Sequence, residues 1–170
     1  MELVQKTKKE KTITIGKNVN EDLATSVIKA IYDINKDDEE FLSNIEKFEQ
    51  ENNCNVTNLS LKPITILLNT YGGCIYDGLG ICDAISDSKT PVEIICSGYV
   101  MSMGIGILLS SDVRKAHKNT TFMIHQPSKL FFGTMQDMEE DLNEMKRLNN
   151  VLVSKMLSCT KSTQEIIGDY

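Results

Sequence analysis

Apolar and polar residues alternate as TITI from Thr12 to Ile15, the period-two pattern of a strand with one covered face. Gly16 to Asn20 then turn the chain, and from Glu21 onward Leu23, Val27, Ile31 and Ile34 recur three or four apart, which predicts a helix with one apolar stripe. Between Asn35 and Lys62 the sequence becomes acidic and Asn-rich. Phe41, Ile45 and Phe48 alone keep helical spacing there, so the segment reads as an inserted loop holding a short amphipathic helix. Ile64 to Leu68 (ITILL) is an unbroken apolar run between Pro63 and Asn69, as expected of a strand covered on both faces. A Gly-Gly turn follows it.

Ile75, Leu79, Cys82 and Ile85 predict the next helix, and Val92 to Cys96 (VEIIC) the next buried strand. A sharp turn at Gly98 is expected to lead into a small-residue helix from near Ser102 to about Ser110. Phe122 to Ile124 read as a strand that delivers His125 at its end. Met135, Met138, Leu142, Met145, Leu148, Leu152 and Met156 step by three or four, which makes a helix of about six turns. So long an apolar face calls for a partner such as another subunit. The order strand, helix, strand predicts an α/β domain with parallel pairing and right-handed crossovers.

Composition narrows the function. With 170 residues, 41% of them hydrophobic, the chain fits one domain with a sizeable core. Acidic residues outnumber basic ones by 24 to 18, so no net positive field gathers nucleic acid or anionic lipid. Met1 to Lys11 lack the apolar run of an export signal. The longest apolar stretch, Tyr99 to Leu109, is interrupted by Ser102 and falls short of the roughly 20 residues that span a bilayer. A cytoplasmic protein is expected. Cys54, Cys74, Cys82, Cys96 and Cys159 are scattered, without zinc-site spacing or the density of a disulfide framework, so neither metal nor cofactor is expected.

Three segments carry candidate chemistry: Asn69 to Cys74 (NTYGGC), Gly98 to Gly104 (GYVMSMG) and Phe122 to Pro127 (FMIHQP). Each lies where an apolar strand ends, the place where open α/β sheets bind ligands. A serine at a strand-to-helix turn offers its hydroxyl beside unpaired N–H groups of the helix's first turn, which suits Ser102 and the amide of Met103. Gly72 and Gly73 allow close backbone approach to a substrate carbonyl, with Gly73 as a second donor. Serine needs a base, and His125 is better placed than His117, which lies among Arg114, Lys115 and Lys118 in a polar loop. Taken singly these signals are weak, since serines at helix starts are mostly caps and Gly-Gly pairs mostly turns. Together they suggest acyl-transfer hydrolysis.

From Ile64 through Ile166 the chain resembles ClpP, the caseinolytic protease subunit, whose fold is shared with the crotonases. The family's N-S-P-G-G, G-x-x-x-S-M-G and M-I-H-Q-P stand here as NTYGG, GYVMSMG and MIHQP, with 29 residues from Gly73 to Ser102 and 35 from His125 to Thr160. The resemblance implies a ClpP/crotonase-type fold of stacked ββα units with a mostly parallel sheet and a long protruding helix. It implies Ser102 as nucleophile, His125 as general base and the amides of Gly73 and Met103 as oxyanion hole, acting through an acyl-enzyme. Ser128 to Thr134, with Leu130, Phe131 and Phe132, would form an extended strand against which peptide substrate pairs. Met135 to Cys159 would interdigitate between two stacked seven-membered rings.

This chain also departs from the family pattern. The orienting aspartate would fall near position 174, past Tyr170, and Asp169 is the nearest acid. Tyr71 stands in place of the family's proline, Asn35 to Lys62 is longer than the family's link, and the region before Thr12 is shorter, which speaks against docking of a Clp-type AAA+ ATPase. The resulting expectation is a ClpP-like serine endopeptidase acting on unfolded proteins or peptides. The alternatives are a catalytically impaired ring subunit and a crotonase-like coenzyme A enzyme.

Overall fold

A computed structural model describes residues 11–56 and 59–163. Its sheet is built from β1 (Thr12–Ile15), β2 (Ile64–Thr70), β3 (Val92–Met101), β4 (Val113–Ala116) and β5 (Thr121–Met123). The order is β1-β2-β3-β4, with β5 also paired to β3, and every pairing is parallel. β4 runs beside Glu93–Cys96 of β3 and β5 beside Tyr99–Met101, so the two short strands follow one another along the same neighbour. Ile15, Ile64, Ile66, Leu68, Ile94 and Cys96 are wholly buried in the core. β4 was not foreseen, because its sequence VRKA is exposed at all four positions and so has no alternation to read.

The helices are α1 (Glu21–Asn52), α2 (Ile75–Ser86), α3 (Met103–Leu108) and α4 (Met135–Cys159). Asn20 caps α1 by accepting the Leu23 N–H. The helix does not stop at Asn35, contrary to the expected break into an inserted loop with a short helix of its own; it continues as one element through Asn52 and ends at Asn53 in the left-handed region. The reason is that its inward face turns polar while staying buried. Asn35 Oδ1 accepts from the Thr90 N–H and the Ser88 hydroxyl, and Asp38 takes a bond from Thr90 Oγ1 and a 2.7 Å ion pair with Lys11. Phe41 and Ile45 then resume the apolar stripe. Of the segment read as an insertion, the described residues 53–56 and 59–62 lie outside any helix or strand.

Gly98 also corrects the sequence reading. It is not a turn into a helix but a bulge within β3, at φ 63°. Leu68 pairs with Cys96 and Thr70 with Val100, so two residues of β2 span four of β3, and the strand runs on to Met101. A glycine in the left-handed region accommodates this extra length. The helix that follows is correspondingly short, ending at Leu108 instead of near Ser110.

α4 begins with a capping box between Thr134 and Asp137. Leu148 and Val153 are buried, and Leu152, Met156 and Cys159 pack on the core. Its first half is different, for Met135 (89%), Met138 and Leu142 are exposed. The apolar ladder read from the sequence is thus covered by this chain only along its second half.

Candidate active site

Ser102 stands between β3 and α3 with φ 52° and ψ −124°, a backbone region that non-glycine residues enter only under strain. Its hydroxyl makes no capping bond to α3. The Ser102 N–H donates to the carbonyl of Met123 (2.8 Å), which ties the turn to the end of β5 two residues before His125. Ser102 and His125 both line a small cavity of about 40 Å³ closed by Ile105 of α3 and by Asn149, Leu152 and Met156 of α4. The structure therefore brings the predicted nucleophile and base into one wall. Within the described residues no hydrogen bond joins the two side chains, and such bonds are often long before substrate arrives.

The Gly-Gly turn packs directly on the serine. A β carbon on Gly72 (φ 94°) would lie 2.7 Å from that of Ser102 and 2.9 Å from the Met103 nitrogen, and one on Gly73 (φ 146°) would lie 2.2 Å from the Val19 carbonyl oxygen. Only glycine fits at either place. Val19 holds the turn from the other side: its N–H donates to the Gly72 carbonyl (2.8 Å) and its carbonyl accepts from Cys74 (2.9 Å). Thr70 Oγ1 accepts from the Gly72 N–H (3.1 Å) and donates to the Lys17 carbonyl (2.8 Å). Among the described residues the N–H groups of Gly73 and Met103 are left with no acceptor. They are the two donors that the sequence reading singles out.

The remaining predicted residues are placed less tightly. Between β5 and α4 the chain forms no strand, so the extended strand expected at Ser128 to Thr134 is not formed in the isolated chain, which supplies no neighbour to pair with it. Ser128 is exposed, Leu130 and Phe132 are 76% and 79% exposed, and Phe131 is half-buried. The Lys129–Asp141 ion pair (2.5 Å) fastens this segment to α4. His117 lies in the turn after β4, its N–H bonded to the Cys96 carbonyl, and takes no part in the cavity wall. Asp169 lies outside the described residues.

Sequence reasoning missed several contributors. Thr70 and Val19 brace the turn, and a threonine directly ahead of the Tyr-Gly-Gly run was the available signal for the first. Asn149 is the cavity's further polar side chain, hidden in the sequence inside the ladder of α4. The Tyr71 and Tyr99 rings stack at 3.9 Å between centroids, and burial together with Tyr71 raises the Tyr99 hydroxyl pKa. Between α2 and α4, Tyr76 donates to Glu144 Oε1 (2.8 Å). Arg147 also binds Glu144 and, with Tyr76, lowers that carboxyl to about 2. Among the described residues no cluster of three or more His, Cys, Asp or Glu side chains could hold a metal, and no helix is long and apolar enough to cross a membrane.

Comparison with known proteins bears on the family and the fold. The sequence model of the family described as Clp protease matches residues 56–169. The ATP-dependent Clp protease proteolytic subunit of Deinococcus radiodurans is 31% identical over 159 residues, covering 92% of this chain and 68% of the relative. In three dimensions the chain is similar to a ClpP1 mutant from Listeria monocytogenes, with a TM-score of 0.72 and 27% identity over 96% of this chain and 80% of that one. The mixed α/β architecture with its parallel sheet is thus the ClpP fold. The family match over two thirds of the sequence, the 31% identical relative and the fold converge, and the chain belongs to the Clp protease family of serine peptidases.

Proposed function

We propose that this chain hydrolyses peptide bonds through an acyl-enzyme on Ser102. The observation that carries the reading is the close packing of Gly72 on Ser102 and on the Met103 nitrogen, which sets the Gly-Gly turn directly against the serine. In this mechanism Ser102 Oγ attacks the scissile carbonyl while His125 takes its proton. The oxyanion of the tetrahedral intermediate accepts from Gly73 and Met103, each such donor lowering the barrier by roughly 3–4 kcal/mol. His125 then returns the proton to the leaving amine, and water attacks the acyl-enzyme by the same route. The apolar cavity floor, with Asn149 as its polar contact, suits an apolar substrate side chain.

Peptides or unfolded segments are the proposed substrates, pairing with residues 128–132 in β fashion. That segment belongs to no helix or strand and is largely exposed. Copies of the chain are proposed to assemble into stacked sevenfold rings through the first half of α4, where Met135, Met138 and Leu142 together with Leu130 and Phe132 leave apolar surface open. The proposed site of action is the cytoplasm.

Labelling of the purified chain with a fluorophosphonate, with Ser102→Ala and His125→Ala as controls, tests the chemistry. Labelling that disappears in both variants supports it. Labelling that persists in Ser102→Ala, or none in the assembled protein, overturns it.

A further inference from the structure

The Gly72–Gly73 turn presents a physical problem. Two adjacent glycines at φ 94° and 146° form the most pliable backbone available, and they follow the point where β2 and β3 lose register between Leu68 and Thr70. An oxyanion donor nevertheless has to stand within a fraction of an ångström of its place, because a displacement of about 1 Å can cost roughly a hundredfold in rate. Val19 and Thr70 restrain the turn from the β1 side. On the Ser102 side the contact is steric packing alone.

We propose that the stacked rings of Tyr71 and Tyr99 are a clasp that positions this turn against Ser102. Tyr71 immediately precedes Gly72. Tyr99 lies three residues before Ser102 in β3 and pairs with Thr121 of β5, the strand that ends at Met123, two residues before His125. The stack, at 3.9 Å and 23° between planes, therefore joins the pliable turn to the frame that carries both reacting side chains. Asn69 reinforces the same junction: its Oδ1 accepts from the Tyr99 N–H (3.3 Å), and its side chain packs over Gly98 at the bulge. Tyr71 is 58% exposed, so its ring is not part of the core and its contact with Tyr99 is available for positioning. The inference rests on the reading of the Gly73 and Met103 amides as oxyanion donors.

The test uses the full chain as wild type, Ser102→Ala, Tyr71→Ala and Tyr71→Phe. Fluorophosphonate acylation rate, kcat and KM on a fluorogenic peptide, affinity for a peptide boronate whose oxyanion enters the hole, and the melting temperature are measured. The expected result is a fall of about tenfold or more in kcat and acylation rate for Tyr71→Ala, with KM within about twofold. Boronate affinity falls in parallel, melting stays close to wild type, and Tyr71→Phe, which keeps the ring contact, recovers most of the rate. Tyr71→Ala reacting at the wild-type rate, equal losses in the Ala and Phe variants, or a rise in KM at constant kcat overturns the clasp while leaving the site assignment standing. Labelling that survives Ser102→Ala, or no wild-type labelling, overturns the underlying reading and the clasp with it.

Discussion

Gly72 lies against Ser102 so closely that a β carbon on the glycine would stand 2.7 Å from that of the serine. Thirty positions apart in sequence, the two residues form one surface. Gly72→Ala is expected to abolish fluorophosphonate labelling, because the added methyl has to push the Ser102 turn or the Met103 amide out of place. The φ of 94° adds strain of about 1–3 kcal/mol in any non-glycine residue. Labelling together with a urea melt checks both parts, and a labelled Gly72→Ala protein would show that the turn and the serine move independently.

Asp38 is the charged group on which α1 depends. Its carboxylate is nearly buried between Lys11 and the Thr90 hydroxyl. Asp38→Ala leaves an ammonium and a hydroxyl without their partner in the interior and is expected to destabilise the fold by about 2–4 kcal/mol. Asp38→Asn, which keeps an acceptor for Thr90, is expected to lose less. Urea midpoints of the three proteins decide this.

The Tyr76–Glu144–Arg147 cluster predicts a pH dependence. Arg147 and Tyr76 hold the Glu144 carboxyl at about 2 against an ordinary 4.5. The folded state therefore binds this proton less readily than the unfolded chain, and the contribution is complete above about 4.5 and is lost as pH falls through about 2. Glu144→Gln has no such titration. Its urea midpoint should decline less steeply than that of the wild type between pH 4.5 and 2. Parallel slopes would mean the cluster adds nothing to folding, a common outcome for exposed pairs.

The thiols should separate by environment. Burial pushes Cys96 up to about 11 and also raises Cys82, whereas Cys54 and Cys74 are exposed. Since the thiolate is the reactive form, maleimide at pH 8 followed by mass spectrometry is expected to modify Cys54 and Cys74 first. Cys82 and Cys96 should react only when the protein unfolds. Early modification of Cys96 would contradict the packing of β3 between β2 and β4.

Much of this was legible from local pattern. β1 coincides with the alternation at Thr12–Ile15, and α4 starts with the ladder at Met135 and runs three residues past its last member, Met156, because a regular apolar repeat marks an element even where, as in the first half of α4, this chain leaves it uncovered. Ser102 and His125 could be paired because each follows an apolar strand, and parallel strands bring their carboxyl ends to one side. The continuity of α1 was not legible, since Asn35 and Asp38 look like loop residues until Ser88, Thr90 and Lys11 are seen to satisfy them. β4 carried no signal at all.

Amino-acid order alone was enough to establish the α/β class and the parallel strands and to single out Ser102 and His125 as candidates, since periodicity and turn chemistry depend on neighbours a few positions away. Only the folded chain decided that Gly98 lengthens β3 instead of ending it, that Gly72 packs on Ser102, and that Tyr71 stacks on Tyr99. Each is a contact between residues far apart in sequence or a register between two strands, and its geometry is set by how whole elements pack together.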